Sequence, residues 1–287
     1  MSESLTLPGH PPPRRGLDAL LGLPDEAIDL AQASLLIARE EYPDLEVARY
    51  LDRLDEMSRE LRTRLRGGER GTSLIAHLNR YLFEELGFRG NVEEYDDPRN
   101  SFLNDVLDRR VGIPISLSTV YMEIGRRIGC PLGGVSFPGH FLVAYLGTEA
   151  PGEIFIDPFD RGRLLTAEDC RRRLREQFGV RVEFTPRLLR RARNREILER
   201  MLVNLKRLYE RERDFHRALR IQRSLLTLHP ESPPHLRDRG LLHFRVACFG
   251  EASDDLESYL RIAPRAPDAE GLRRQVRRIR MLAPVMN

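Results

Sequence analysis

Residues 100–160 read NSFLNDVLDRRVGIPISLSTVYMEIGRRIGCPLGGVSFPGHFLVAYLGTEAPGEIFIDPFD. A helix-forming run after Gly112, with Pro114 suited to its first turn, is followed by a Gly-rich turn, a strand opening on His140 and a strand closing on Asp157. In the first strand Phe141, Val143 and Tyr145 alternate with His140, Leu142 and Ala144, the period of a strand with two distinct faces. The second, EIFID, follows the turn-rich GTEAPG and is short, apolar and β-branched. The two runs read as an antiparallel hairpin. The loop length predicts a register that sets His140 directly opposite Asp157, with Cβ atoms roughly 5 Å apart, close enough for a hydrogen bond. A slip of two residues would spoil that pairing.

Helix, then His, then Asp is the order of a Cys-His-Asp acyl-transfer site. Such a site needs a nucleophile at a helix N-terminus, where the dipole favours an anion, a His to move the proton, and a carboxylate to fix the His tautomer. No Cys stands at this helix start. Its first hydroxyls are Ser116, Ser118 and Thr119, of which Ser116 is best placed. Ser116 serves equally as an N-terminal cap or packing residue. His140 reads as a base or as a hydrogen-bonded core histidine. Asp157 reads as its partner or as the start of the turn before Pro158. Cys130 lies past the other end of the helix, at its negative pole, where a thiol pKa rises; it reads as structural, as do Cys170 and Cys248.

Outward from this segment the chain is mostly helical. Residues 1–15 are Pro-rich and are expected to be disordered. Apolar residues recur at three- and four-residue steps over residues 45–65, and again over residues 72–86, predicting two amphipathic helices. Gly67-Gly68 and Gly87 are their stops. Thr166 with Asp169 three residues on forms a capping box for a further helix. Beyond Pro186 there is an internal repeat. Phe215 and Phe249, Ala218 and Ala252, and Pro230 and Pro264 are each 34 residues apart. The second unit places Arg239 and His243 where apolar residues are expected, and a last helix spans residues 270–282. Two units and one helix cannot bury a solenoid core alone, so they are expected to dock on the first domain.

Composition narrows the class. The chain has 287 residues, 41% hydrophobic and 32% charged, and no apolar run approaches the roughly 18 residues of a membrane span. The first residues lack the pattern of a secretory signal, and three cysteines at non-metal spacing fit a reducing cytoplasm. His229, His235 and His243 carry no carboxylate or thiolate at ligand spacing, and no loop has a phosphate-cradling pattern, so neither metal nor cofactor is expected. Basic residues are nearly all Arg, and the net charge of +3 is small. The runs at residues 171–173, 187–195 and 273–280 read as solvated faces, and nucleic acid is not expected as a partner.

The string NSFLNDVL-DRR-GIPISLS, followed by PGHFLV and IDPFD, resembles the bacterial SirB-type family. The resemblance covers the chain from about residue 28 onward. It implies an α+β architecture, in which a papain-like or transglutaminase-like domain over residues 16–185 packs a helix on an antiparallel sheet. Tetratricopeptide-like helices over residues 186–287 complete it. On that resemblance His140 and Asp157 match the superfamily's His and Asp, while the Cys position falls at Pro114 or, with a slip of two, at Ser116. Two functions are therefore weighed: a non-catalytic adaptor or regulator that grips a protein or peptide, and a hydrolase or acyltransferase using Ser116, His140 and Asp157.

Overall fold

The computed structural model describes residues 16–65, 69, 71–148, 152–179 and 182–282. The Pro-rich start, the Gly67-Gly68 stop and the middle of the hairpin loop lie outside them. Four N-terminal helices, α1 (Leu17–Leu21), α2 (Leu30–Arg39), α3 (Val47–Arg64) and α4 (Thr72–Asn79), precede the segment that decides the fold. The helix expected over residues 72–86 is α-helical only to Asn79. It then loosens into a π-helical turn over Arg80–Glu85, closed by Leu86 N donating to Tyr81 O at 2.9 Å.

Two short parallel strands, β1 (Arg89–Gly90) and β2 (Val111–Gly112), flank α5 (Leu103–Arg109) and deliver the chain to α6 (Pro114–Ile128). Pro114 pre-sets the first turn of α6, and Gly129 ends it in the left-handed conformation at φ 83°. Every residue from Pro114 to Gly125 is buried, because α6 runs through the middle of the domain with α3 on one side and the sheet on the other. That sheet is antiparallel, in the order β3 (Leu132–Val135), β4 (Leu142–Tyr145), β5 (Phe155–Asp157), β6 (Arg163–Leu165). The expected alternation sorts its two faces. Phe141, Val143, Tyr145 and Ile156 join the main core under α6, while Leu142, Ala144 and Phe155 join a second core with Cys170 and Leu174 of α7 (Ala167–Phe178). The capping box opens α7, Asp169 N donating to Thr166 Oγ1 at 3.2 Å and Thr166 N to Asp169 Oδ2 at 2.9 Å.

Beyond the sheet come α8 (Asn194–Arg211), α9 (Phe215–Leu228), α10 (Pro233–Arg245), α11 (Phe249–Ile262) and α12 (Ala269–Leu282). The repeat is visible in the backbone: Arg213 and Ala247, 34 positions apart, take left-handed φ of 61° and 60° in equivalent turns. The charged pair Arg239 and His243 is accommodated by a third substitution. One repeat earlier the three positions are Leu205, Tyr209 and Ile221; here Ile221 is answered by Asp255. Asp255, though buried, accepts from Arg239 at 2.6 and 2.8 Å and from His243 Nδ1 at 3.1 Å. The first repeat docks on the N-terminal helices. Its Leu202, Leu205 and Ala218 share one core with α1 and α2, and Asp25 caps α8 by accepting from Asn194 N and Arg195 N at 3.3 and 2.8 Å. The second repeat and α12 enclose a separate cluster around Leu256 and Ile279.

These separate cores predict different responses to cavities. Leu202→Ala is expected to cost about 2–5 kcal/mol and to lower hydrogen-exchange protection in α2, α8 and α9 together. Leu256→Ala should open α11 and α12 while α6 keeps its protection. Equal loosening of α6 by both would show that the cores are not separate.

Candidate functional site

Asp157 ends β5 fully buried, and its carboxylate is satisfied on both oxygens. Oδ1 accepts from His140 Nε2 at 2.8 Å and from the backbone N–H groups of Phe159 and Asp160 at 3.1 and 3.3 Å. Oδ2 accepts from Arg173 Nη1 of α7 at 2.6 Å. Burial alone would raise this carboxyl, but the hydrogen bonds and charges of His140 and Arg173 outweigh it and hold the pKa below the ordinary carboxylate value.

The register differs from the expected one. Val143 pairs with Ile156 and Ala144 with Phe155, so the hairpin is displaced by two residues and Leu142, not His140, falls opposite Asp157. The hydrogen bond forms all the same. A shift of two keeps both residues on one face and makes them diagonal neighbours, a separation an imidazole spans. The turn before β4 completes the aim. Gly139 is left-handed at φ 67°, a conformation that favours glycine, and His140 N donates to Phe137 O at 3.1 Å. The imidazole edge meets the Phe159 ring at 5.9 Å, and Phe159 meets Tyr95 at 6.1 Å.

His140 opens onto a cleft of about 540 Å³ that Pro114 and Ile115 of α6 also line, together with Tyr95 and the α8 residues Arg200 and Arg207. Ser116 is turned elsewhere. Its Oγ accepts from Ile113 N at 3.1 Å and donates to Asn100 O at 2.6 Å, which uses the one proton a hydroxyl has. Among the described residues no hydrogen bond joins Ser116 to His140. The side chain of Asn100, itself buried, donates to Glu94 O at 2.6 Å and so ties the loop carrying Tyr95 to the start of α6.

Three participants were not singled out by sequence. Arg173 looked like part of a solvated basic run, yet the capping box fixes the phase of α7, and Cys170 and Leu174 at i−3 and i+1 place Arg173 at the edge of the buried face. Arg200 and Tyr95 come from distant segments, and nothing in their local pattern announces the cleft. The thiols are not alternatives. Burial pushes Cys130 up to about 12 and Cys170 up to about 11. No group of three or more His, Cys, Asp or Glu among the described residues is arranged to hold a metal ion. No described helix is long and apolar enough to cross a membrane.

Comparison with known proteins agrees with this architecture. The transglutaminase-like superfamily matches residues 48–203, and the tetratricopeptide repeat matches residues 205–277. No solved structure matches. A UPF0162 protein of Xylella fastidiosa (strain 9a5c) is 40% identical over 259 residues, covering 89% of this chain and 92% of that protein. A UPF0162 protein of Vibrio cholerae is 34% identical over 197 residues, 69% of this chain and 72% of its own. Human F-box only protein 21 is 31% identical over 191 residues, which is 63% of this chain and 30% of the longer human protein. The chain belongs to the transglutaminase-like superfamily and, within reach of these relatives, to the UPF0162 family. Tetratricopeptide repeats generally mediate protein–protein contact.

Because the Asp157 pKa is depressed in the folded state, its contribution to stability is present above the unfolded value of about 3.9 and is lost as pH falls through the folded value. Asp157→Asn, which leaves Arg173 and His140 without their anion, is expected to cost about 3–5 kcal/mol at neutral pH. It should also flatten the acid limb of the stability profile below about pH 4. Urea unfolding from pH 2 to 8 checks both; an unchanged acid limb would show that another carboxylate governs it.

Proposed function

We propose that this is a non-catalytic transglutaminase-like protein, an adaptor or regulator that grips a protein or peptide partner through its cleft and its helical repeats. It works in the cytoplasm and needs no cofactor. The observation that supports it most is the environment of the α6 start: the cleft beside His140 is lined by Pro114 and Ile115, which have no nucleophilic side-chain atom, while the Ser116 hydroxyl is engaged by Asn100 and Ile113. A serine nucleophile depends wholly on its base, so a hydroxyl committed to a backbone carbonyl is poorly placed to attack. The His140–Asp157 hydrogen bond favours the second reading, a Ser-His-Asp hydrolase or acyltransferase, which requires Ser116 to leave both of its partners.

A serine-reactive fluorophosphonate probe separates the two. Intact mass and peptide mapping are expected to find no adduct on the wild-type protein, while Ser116→Ala costs about 1 kcal/mol of stability through the lost cap. Labelling at Ser116 that disappears in His140→Ala would establish an activated nucleophile and overturn the proposal.

A further inference from the structure

The His140 cleft does not stop at α8. A second cavity, about 770 Å³, lies between α8 and α10 on the repeat side, and the two share Val203 and Arg207 as lining residues. Together they form one groove that runs from the imidazole along α8 to Leu241 and Arg245 of α10.

Charge is distributed unevenly along it. Several arginines elsewhere have carboxylate partners, as Arg211 has Asp96, Arg217 has Glu41 and Arg239 has Asp255. Four that line the groove have none among the described residues: Arg200, Arg207, Arg213 and Arg245. Arg200 Nη1 donates only to neutral groups, Ser136 Oγ at 2.8 Å and Phe137 O at 3.0 Å, and its guanidinium lies 5.7 Å from the Phe141 ring centre. Arg245 lies over Phe215 at 5.5 Å. Of the acids nearby, Glu196 is paired with Arg190 and Asp238 with Lys206, while Glu199 is hydrogen-bonded to His229 Nε2 at 3.0 Å. Glu210 is the one lining acid without an ion pair among the described residues. Burial holds Arg200 below its ordinary pKa, and Arg207 adds to that depression against the opposing pull of Tyr95. Two like-charged guanidinium groups lining one cleft are what an anion would relieve.

We propose that this groove takes an acidic, extended protein segment, with carboxylates on Arg200 and Arg207 beside His140 and on Arg213 and Arg245 along the repeats. The proposal rests on the peptide-gripping reading above and names its partner's chemistry. Arg200 and Arg207 are seven residues apart on one face of α8, about 10 Å along its axis, a span an extended chain crosses in about three residues. Among the arginines lie the half-buried apolar side chains of Val203, Phe215 and Leu241, so acids alternating with aliphatic side chains match them. A phosphate backbone would leave those apolar side chains unmatched.

Fluorescein-labelled peptides of roughly twelve residues, alternating Glu with Leu or Val, test this by anisotropy in about 0.15 M salt. Matched peptides with Gln or Lys in place of Glu, and a single-stranded oligonucleotide, are run alongside. The acidic peptide is expected to bind and to weaken as salt rises. Arg207→Ala and Arg245→Ala should each weaken it about two- to fivefold. Both sites are exposed, so thermal melts should be unchanged, and Arg187→Ala, outside the groove, should have no effect. Gln peptides that bind as tightly and depend on Leu241 would overturn the acidic preference while peptide gripping stands. Binding of the oligonucleotide alone, or of no probe, would overturn the proposal. The fluorophosphonate result, read separately, decides whether the non-catalytic reading falls with it.

Discussion

A carboxylate with no solvent exposure, that of Asp157, is held at the end of β5 by four donors from three separate pieces of chain. An unpaired charge in that position would be prohibitive. Each donor is therefore also a constraint: His140 fixes the turn before β4, Phe159 and Asp160 fix the turn after β5, and Arg173 fixes α7 against the sheet. Phe159, positioned in this way, fills the space that Gly90 leaves by lacking a side chain, a Cβ there meeting the ring at 2.6 Å. The His–Asp pair is thus structural as well as site-like, bracing the hairpin and α7 at once.

The second organising element is α8, which belongs to both halves at once. One face completes the core of the N-terminal helices, while its opposite side supplies Arg200, Val203 and Arg207 to the groove. Its N-terminus is capped from the other half by Asp25, and its preceding residue Ala192 donates to Gly134 O of β3 at 2.7 Å. The family matches meet at residues 203 and 205, inside this helix. The first repeat therefore starts within the domain's own core, and a single helix forms the middle of the groove.

Much of this was legible in the residues. The strand alternation from His140 to Tyr145 matches the two faces of the sheet, and the 34-residue spacing reappears in the equivalent turns at Arg213 and Ala247. What sequence could not supply was long-range pairing. The hairpin register is not fixed by any local signal, and the His140–Asp157 bond survived the two-residue displacement only because face parity is preserved. The charged trio of Arg239, His243 and Asp255 looked like a broken repeat when two members were seen without the third. Ser116 was ambiguous for a physical reason: the position that best presents a nucleophile to a helix dipole is also the position that best caps it.

That ambiguity bears on what the cleft has become. Pro114 contributes neither a nucleophilic side chain nor a backbone N–H, so the helix start that would polarise a thiolate offers the cleft little chemistry. With Nε2 of His140 bonded to Asp157, Nδ1 is the ring nitrogen left for a ligand. The arginines of α8 supply donors a few ångströms further along. In the proposed complex a backbone N–H of the peptide meets Nδ1, and the acidic side chains of the peptide meet the cations beyond it.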